Sequence, residues 1–491
     1  MPEDALVNTG AGRWPSSTEA AWAVREMQIK LHRWAGDDVS RRFDDLFNLV
    51  YDRSFLRHAF ERVSGNAGAR TPGIDRATVA WIESTVGVEA FLEHIRHSLK
   101  TSEYGPVEVR QVMIPKASGK MRKLGIPTVT DRVVQASLTA VLEPIFEADF
   151  LPCSYGFRPN RRAHDAIAEI HHLTSEPINY EWVLEADIQA CFDEIDHTAV
   201  MNRVRRRIKD KRVCLLVKAF LKAGVITGDG SRNDTFTGTP QGGILSPLLA
   251  NIALSALDEH FTRQWHNEMG SHQRRATRRK HGLANWRLIR YADDFVIVVS
   301  GNRGHAEALR EDVAAVIAPL GLRLSAEKTR VVHIDQGFDF LGYNIRRQRK
   351  RGTRKQYVYT KPSKKAIQAI KGKVKDRTRR NTRHLEPAAL IASIGRALRG
   401  WAHYFRYGVS STAFHAIDEY AWHRIVGWLH RKHSRLRWQE LRRRMFLPGT
   451  WKLHCDGVTF TGATSVGTSR YRYRGSNIPT PWTRPQDAPA S

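Results

Sequence analysis

Three aspartates of the sequence stand where mainly apolar stretches end or are interrupted. Asp187 follows the run Trp182–Ala186, and the adjacent pair Asp293-Asp294 divides a longer apolar run. Mg²⁺ is a hard cation that takes oxygen ligands and usually only one or two protein carboxylates. Two such ions held close together can activate a hydroxyl and stabilise the leaving group of an in-line displacement. Carboxylates placed in this way are therefore suited to hold divalent cations.

The alternative for the Asp293-Asp294 pair is ordinary turn chemistry, because aspartate side chains often hydrogen-bond the backbone of turns. Two charges inside an apolar run are costly, however, unless cations or other partners compensate them. The apolar residues on both sides of the pair therefore favour the metal-binding interpretation.

The composition of the chain points to a polyanionic partner. Its 491 residues contain 78 Lys and Arg against 50 Asp and Glu, which gives a formal net charge of +28. Such an excess opposes compaction by self-repulsion, and nucleic acid is the leading candidate to balance it. An anionic membrane surface is the second candidate, and it is weakened because no run of about 18 apolar residues is available to span a bilayer.

Other features of the sequence limit the compartment. Residues 1–12 lack a basic end followed by an apolar stretch, so we expect no signal peptide. The four cysteines stand singly, at positions 153, 191, 214 and 455, which argues against a disulfide framework and against a cysteine-rich zinc module. We expect an intracellular, nucleic-acid-directed protein without a membrane partner.

Strands and hairpins are predicted to position the three aspartates. Apolar runs predict a strand that ends at Asp187 and a hairpin formed by Arg287–Arg290 and Phe295–Val299, with the acidic pair in its turn. A second hairpin is predicted between Val109 and Ile126, with basic residues near its tip.

Helical patterns dominate both ends of the chain. Ser16 and Glu19 have the spacing of a capping box at the start of an N-terminal helix. Residues 366–445 are predicted to be almost wholly helical, with aromatic and basic side chains interleaved. Two basic runs, 274–280 and 346–355, are suited to a nucleic-acid backbone or are solvated loops. Residues 448–491 are rich in Gly, Thr, Ser and Pro, so we expect irregular structure and a frayed end.

Five segments, in order along the chain, resemble the palm motifs of reverse transcriptases. They are Glu185–Ile188 with Phe192-Asp193, Gly238–Gly243 leading into Leu245–Leu248, Tyr291–Asp294, Gly321–Thr329 and Phe338–Gly342. One four-residue match is weak, whereas five in the expected order are specific.

The resemblance narrows to the reverse transcriptases encoded by group II introns. Arg110–Lys116 and Gly119–Pro127 are similar to the fingers of these enzymes, and Thr71–Asp75 looks typical of them. Leu398–Phe405 resembles their maturase domain, which also serves as the polymerase thumb. The similarity extends from about residue 43 to residue 444.

This resemblance implies an α+β fold: a right-hand polymerase with fingers and palm, followed by an α-helical thumb/maturase domain. We expect an N-terminal helical extension at residues 1–40, fingers and palm at 41–345, the thumb/maturase domain at 346–447 and a short C-terminal segment at 448–491. The implied activity is RNA-directed DNA synthesis with Mg²⁺, an RNA template, a DNA primer and deoxynucleoside triphosphates. The implied partners also include the parent group II intron RNA, whose splicing the protein assists, and target DNA, in a ribonucleoprotein of the bacterial cytoplasm.

Palm residues acquire roles from the resemblance alone. Asp187 and Asp293 would bridge both metal ions, with the Ile188 backbone carbonyl as a further ligand and Asp294 as a supporting carboxylate. Phe192 would lie beneath the sugar and collide with a 2′ hydroxyl, which selects deoxynucleotides. The alternative for Phe192 is plain core packing.

Basic residues of the fingers are expected to meet the triphosphate. Arg110, Lys116 and Arg122 would face it, since guanidinium and ammonium groups neutralise its charge. The alternative for each is a solvated strand residue, and we prefer that alternative for Lys120 and Lys123.

Two further residues complete the expected site. Gln241, beside two glycines that allow close backbone approach, would touch the incoming nucleotide or the template base; its alternative is a polar residue that only completes the turn. Lys328 would protonate the leaving pyrophosphate, a role that a positioned lysine can fill. The alternative for Lys328 is an ordinary surface lysine.

The chain departs from many family members after Met445. Those members carry a DNA-binding segment and an endonuclease built on paired cysteines and histidines, whereas His454 and Cys455 are the only such residues here. Two residues cannot assemble that metal site, so we expect no endonuclease. Two alternatives for the function stay open. One is a nonenzymatic splicing factor, which the intact aspartates oppose; the other is a related reverse transcriptase recruited to phage defence or an adaptive immune locus.

Overall fold

A computed structural model describes residues 13–115, 119, 121–227, 230–233, 237–239, 242–475 and 478–483. Lys116 and Gln241, two of the expected substrate-site residues, lie outside the described residues, as does Lys120. The described part is a mixture of helices and sheets, which agrees with the expected combination of α and β structure. No helix in these ranges is both long and apolar enough to cross a bilayer.

The α-helices of the described residues are α1 (Ser17–Asp37), α2 (Phe47–Val50), α3 (Arg53–Ser64), α4 (Val79–Trp81), α5 (Val88–Lys100), α6 (Val129–Glu147), α7 (Ala163–Thr174), α8 (Cys191–Glu194), α9 (His197–Arg207), α10 (Lys211–Lys222), α11 (Ser246–Gln264), α12 (His272–Lys280), α13 (Arg303–Ile317), α14 (Lys364–Arg377), α15 (Pro387–Phe405), α16 (Ser411–Lys432) and α17 (Trp438–Met445). The strands are β1 (Val109–Pro115), β2 (Met121–Ile126), β3 (Trp182–Asp187), β4 (Val225–Ile226), β5 (Arg232–Asn233), β6 (Asn285–Tyr291), β7 (Asp294–Ser300), β8 (Arg330–His333), β9 (Phe338–Phe340), β10 (Tyr343–Arg349), β11 (Gln356–Pro362), β12 (His454–Cys455) and β13 (Val458–Thr459).

The N-terminal helix α1 begins at the predicted capping box. The Ser16 hydroxyl accepts the Glu19 N–H, and the Glu19 carboxylate accepts the Ser16 N–H at 2.7 Å. These bonds satisfy two donors at the helix start that would otherwise lack partners. Helix α1 packs on α3 and α6, and its residues Val24 and Leu31 are buried. It therefore belongs to the same hydrophobic core as the helices that follow it.

The predicted basic hairpin is confirmed. Strands β1 and β2 pair antiparallel, and β4 and β5 extend them into a sheet of order β2-β1-β4-β5, which we call the hairpin sheet. Arg110 lies opposite Ile126, and Ile114 lies opposite Arg122. Because side chains alternate between faces along a strand, Arg110 and Arg122 share one face and Lys123 lies on the other.

A second sheet, of order β6-β7-β3-β8, separates two hydrophobic cores, and we call it the central sheet. Its neighbouring strands are all antiparallel. Leu184 and Ile297 belong to a core that includes the N-terminal helices, whereas Val183 and Val298 belong to a second core that includes α14 to α17. Alternate side chains of β3 and β7 therefore pack into the two cores on opposite sides of the sheet.

The predicted helical stretch near the C-terminus is confirmed as α14 to α17, which we call the helical region (residues 364–445). Its side chains share the second core with the three-stranded sheet of order β11-β10-β9. Trp428 is fully buried there, and its indole N–H donates to the Thr382 hydroxyl at 3.1 Å. A satisfied indole allows this large ring to fill the core without an unpaired donor.

The C-terminal segment returns from the helical region to α7 and α1. Arg474 donates to the Asp165 carboxylate at 2.6 Å, and Trp482 donates to the Gln28 side chain at 3.1 Å. Trp482 and Ile478 are each only 6% exposed. The irregular structure expected after residue 447 is found over most of the described residues there, and the expected frayed end falls on residues 484–491, which lie outside the described residues. Burial of the two apolar side chains offsets the entropy lost by ordering the segment.

Candidate active site

The three aspartates meet at one end of the central sheet. Strand β3 ends at Asp187 and β7 begins at Asp294, and these residues lie opposite each other in the antiparallel register. Tyr291 pairs with Asp294, so β6 and β7 are joined by Ala292-Asp293, which we call the acidic turn. Ala292 adopts a φ of +58°, in the left-handed region that two-residue hairpin turns use. The hairpin predicted from the sequence is confirmed.

The carboxyl groups of this site repel one another. Solvent reaches part of the Asp294 side chain, but the surrounding protein atoms desolvate its carboxyl and raise its pKa to about 7. The charges of Asp293 and Asp187 act in the same direction. Burial also raises the pKa of Asp293, and the Asp187 charge adds to this rise. Such a group of like charges favours a bound cation.

Lys328 contacts one of these carboxylates directly. Its Nζ donates to Oδ2 of Asp187 at 2.7 Å. This hydrogen bond raises the pKa of Lys328, which therefore stays protonated at neutral pH. The side chain is 65% exposed, so its ammonium group is open to solvent as well as to the carboxylates. The structure thus brings the expected proton donor to the edge of the acidic site.

The donor set at this edge fits Mg²⁺. Asp187 and Asp293 supply carboxylate oxygens. Ile188 lies opposite Leu324 in an isolated β-bridge. The residues on either side of these two make the hydrogen bonds of the bridge, so the Ile188 carbonyl takes no part in them. Within the described ranges, no three His, Cys, Asp or Glu side chains are grouped as ligands of a single ion. Mg²⁺ does not require such a group, because it usually retains several waters and binds through one or two carboxylates plus substrate phosphates.

Phe192 lies shortly after β3, in helix α8. Its ring is partly buried against the core that includes the N-terminal helices. Its carbonyl accepts the Thr239 N–H at 2.6 Å, and a Cβ on Gly238 would lie 2.6 Å from the same oxygen. Gly238 and Thr239, which begin the 238–243 segment, therefore lie against Phe192, the residue that is expected beneath the sugar.

Two family models match the chain. Residues 114–345 match the reverse transcriptase (RNA-dependent DNA polymerase) model, and residues 367–446 match the maturase-specific domain of group II introns. Protein YkfC of Escherichia coli K12 is 36% identical over 364 residues, which cover 70% of this chain and 93% of YkfC. The group II intron-encoded protein LtrA of Lactococcus lactis is 35% identical over 356 residues, which cover 62% of this chain and 58% of LtrA. The chain belongs to the group II intron-encoded reverse transcriptases.

Membership of this family makes the chain an RNA-directed DNA polymerase by class and identifies the fingers and palm of a polymerase fold. We expect the central sheet, which carries the acidic turn, to be the palm sheet and the hairpin sheet to belong to the fingers.

The fingers cations differ in their surroundings. Arg110 donates from Nη2 and Nε to the Pro72 carbonyl, at 2.7 and 3.2 Å, so its guanidinium holds the 71–75 segment. The positive charge of Arg122 acts on the acidic turn, because it opposes the rise in the pKa of Asp293. Contact of either arginine with a triphosphate stays a prediction.

Sequence reasoning missed the residues that hold the acidic turn. Arg290 donates from Nη1 to the Ala292 carbonyl at 2.9 Å and to Oδ1 of Asn251 at 3.0 Å. Gly156 lies so close that a Cβ there would clash with the Ala292 backbone. Asn251 connects Arg290 with Gly156, because it accepts a hydrogen bond from Arg290 and its Nδ2 donates to the Gly156 carbonyl at 2.8 Å. The sequence feature that could have indicated this role is Arg290 itself, a basic residue inside an apolar run and two residues before Ala292.

Cations of the helical region fall into two groups. Arg379 pairs with Asp376 at 2.6 Å, and Arg377 is partly buried and donates to Ser393 at 3.2 Å. Arg380 and Arg396 are exposed. The exposed pair is therefore better suited to an external polyanion.

The two basic runs that the sequence singles out are structured. Residues 274–280 lie in helix α12, and residues 346–355 lie in β10 and the turn that follows it. Arg347 in the second run already pairs with Asp335 and Glu181, both at 2.6 Å. The solvated-loop alternative is therefore wrong for 274–280, whose helix is held partly by a hydrogen bond from Arg278 to the Ala284 carbonyl at 2.9 Å.

Proposed function

We propose that the acidic site extends a DNA primer with deoxynucleotides on an RNA template. The observation that carries this proposal is the register of β3 and β7, which sets Asp187 opposite Asp294 beside the acidic turn. The reverse transcriptase match over residues 114–345 supports it. We also propose that the helical region is the polymerase thumb, with domain boundaries near residues 345 and 447.

The metal site in this proposal consists of Asp187, Asp293 and the Ile188 carbonyl, with Asp294 as a supporting carboxylate. These residues would hold two Mg²⁺ ions, which would supply activation of the primer 3′ hydroxyl and neutralisation of the leaving pyrophosphate. Desolvation and, after it, the neighbouring carboxylates raise the pKa of Asp293 and Asp294, and a bound cation would favour the charged form of both groups.

The remaining residues act on the nucleotide. Lys328 gives a proton to the leaving pyrophosphate, since its protonated ammonium group lies beside the acidic site. Arg122 neutralises triphosphate charge, together with Arg110 and Lys116. Phe192 lies beneath the sugar and excludes a 2′ hydroxyl, and Gln241 contacts the nucleotide or the template base.

The second proposed function is binding of the parent group II intron RNA. The maturase-specific match over residues 367–446 and the net charge of +28 support it. Structured RNA is read largely by shape and by phosphate contacts, for which the exposed Arg380 and Arg396 are suited. In this proposal the protein assists splicing and then copies the intron into target DNA, as a ribonucleoprotein of the bacterial cytoplasm.

Primer extension and intron splicing, measured side by side on the same variants, test both functions. Asp187→Ala should stop DNA synthesis with Mg²⁺ and leave splicing intact, because a carboxylate makes no favourable contact with a phosphate. Asp44→Ala is the matched control, since that carboxylate is 69% exposed and belongs to the N-terminal part of the chain. Near-normal extension by Asp187→Ala would refute the metal site. A wild-type protein that splices and never extends a primer would be a nonenzymatic splicing factor.

A further inference from the structure

Phe157 is an exposed aromatic residue in an unfavourable backbone conformation. Its φ is +57°, in the left-handed region that bulky side chains rarely adopt, and 53% of its surface is exposed. A single exposed phenylalanine is common on protein surfaces and needs no explanation by itself. The combination with a strained backbone is less common, because such residues persist only where the surroundings hold them, and they concentrate at functional sites.

Both neighbours of Phe157 hold it in this conformation. Gly156 packs against the backbone of Ala292 in the acidic turn, where no Cβ would fit. On the other side, Arg158 forms a buried ion pair with Glu147 at 2.7 Å. The same guanidinium donates to three backbone carbonyls, those of Phe150, Leu151 and Ser154. The side chain of Phe157 is thus exposed to solvent on a segment that packs against the acidic turn.

The ring of Phe157 meets the ring of Phe192. Their centroids are 6.4 Å apart and their planes lie at 79°, which is an edge-to-face contact. This arrangement is favourable for two aromatic rings and restricts the orientation of both. More than half of the Phe157 surface is still exposed, so the contact with Phe192 uses only part of the ring.

We propose that Phe157 is a specificity-determining residue of the polymerase site, whose ring contacts the sugar of the incoming deoxynucleoside triphosphate and holds Phe192 in place. This inference rests on the proposed function, because it assigns Phe157 to the nucleotide site of that reaction. Apolar C–H groups of a deoxyribose pack well on an aromatic ring, whereas an added hydroxyl needs a hydrogen-bond partner that neither ring offers. A Phe192 ring that cannot swing aside excludes the 2′ hydroxyl more strictly.

Steady-state incorporation of deoxynucleotides and ribonucleotides by Phe157→Ala tests this assignment. We expect the KM for the deoxynucleotide to rise by about two- to tenfold. We expect the ratio of kcat/KM for deoxynucleotide over ribonucleotide to fall by about tenfold, the usual lower range when an apolar group is removed from a specificity pocket. Phe157→Tyr, which retains the ring but adds a hydroxyl that can pair with a 2′ hydroxyl, should restore the KM and recover the selectivity only in part.

A double-mutant cycle with Phe192→Val tests the contact between the two rings. If Phe157 acts partly by holding Phe192, the loss of selectivity in the double variant will be smaller than the product of the two single losses. Trp22→Ala is the control, because Trp22 is 68% exposed on helix α1 and lies outside the proposed site. This control should keep the wild-type KM and selectivity.

Phe157→Gly separates the side chain from the strained backbone, because glycine adopts a positive φ freely. The glycine variant should fold as well as the wild type and still lose selectivity. Wild-type KM and selectivity in both the glycine and alanine variants would overturn the inference, as would a fall in kcat alone. In each of those cases the wild type still extends a primer, so the proposed function survives; failure of the wild type itself would overturn that function instead.

Discussion

The guanidinium of Arg290 and the carboxylate of Asp258 form an ion pair without solvent exposure, which joins strand β6 to helix α11. Arg290 donates from Nε to Oδ1 at 2.7 Å and from Nη2 to Oδ2 at 2.5 Å. The same guanidinium donates to the Ala292 carbonyl, so one side chain connects the helix, the strand and the acidic turn. Burial of two charges is costly, and the two-point geometry of this pair offsets much of that cost.

The first prediction concerns this pair. Arg290→Met leaves the Asp258 charge buried without a partner, which should lower the free energy of unfolding by about 3–5 kcal/mol. The double variant Arg290→Met/Asp258→Leu removes both charges and should recover most of the stability in urea denaturation. It should not recover primer extension, because the donor to the Ala292 carbonyl is still missing. Full extension by the stabilised double variant would show that Arg290 does not hold the turn.

Glu307→Gln is the control for that experiment. Glu307 pairs with Arg303 at 2.7 Å, and both side chains are more than half exposed. Exposed pairs contribute at most about 1 kcal/mol, so this variant should unfold almost as the wild type does.

The second prediction is a pH dependence of stability that originates at Glu143 in helix α6. Burial raises the pKa of Glu143 to about 7, while the Arg62 charge opposes this rise and the Glu147 charge adds to it. The ordinary pKa of a glutamate, which applies in the unfolded chain, is 4.5. Between these two pKa values the folded protein holds a proton that the unfolded chain has released. Stability therefore falls as the pH rises through this window and changes no further from this source above it.

Glu143→Gln should remove this dependence. The free energy of unfolding of the variant, minus that of the wild type, should grow as the pH rises through the window and then level off. Each unit by which the pKa is raised corresponds to about 1.4 kcal/mol, so the limiting difference is at most a few kcal/mol. Urea denaturation at a series of pH values measures it. A difference that does not vary with pH would contradict the assigned pKa.

The third prediction concerns Lys328. If its ammonium group donates a proton to the leaving group, Lys328→Gln should lower kcat by about a hundredfold, with little change in the KM for the nucleotide. Lys123→Gln removes the same charge from the opposite face of the fingers hairpin and should keep the wild-type kcat. Primer extension across a series of nucleotide concentrations measures both parameters. A Lys328 variant with the wild-type kcat would mark this residue as an ordinary surface lysine.

The fourth prediction concerns intron binding by the helical region. Arg380→Gln and Arg396→Gln should weaken binding of the intron RNA, because each removes a charge that neutralises a phosphate. The dependence of affinity on the logarithm of the salt concentration should flatten by about 0.7–0.9 for each phosphate that is no longer neutralised. Filter binding across a salt series measures the slope. Arg303→Gln removes the same charge from helix α13, where the side chain is 66% exposed, and should leave the slope unchanged. If both test variants kept the wild-type salt slope, Arg380 and Arg396 would not belong to the surface that binds the intron RNA.

Local patterns predicted the elements that position the acidic site. The apolar runs on both sides of Asp293 predicted a hairpin, and the run before Asp187 predicted the strand that pairs with it. The Ser16 and Glu19 spacing predicted the start of helix α1. Each of these signals depends on residues that are close in sequence, so turn and strand preferences are enough to decide the structure there.

Contacts between distant residues could not be predicted in this way. Arg290 and Asp258 are 32 positions apart, and Asp165 and Arg474 are 309 apart. In a chain with 78 basic residues, no local pattern separates an arginine that will be buried from one that will be solvated. Phe157 was missed for a related reason, because its backbone conformation is set by Gly156 and Arg158 through partners elsewhere in the chain.

The central sheet has two hydrophobic faces, and this constrains how the family can evolve. Val183, Val296 and Val298 carry no exposed surface because the second core covers them. That core is shared by helix α7, which packs on β6 and β7, and by the helical region, so a change of side-chain volume in it affects both. Exchange of this palm for that of another polymerase would therefore require matching changes in the helical region. Substitutions that change side-chain volume in the central sheet and in the helical region are therefore expected to compensate one another.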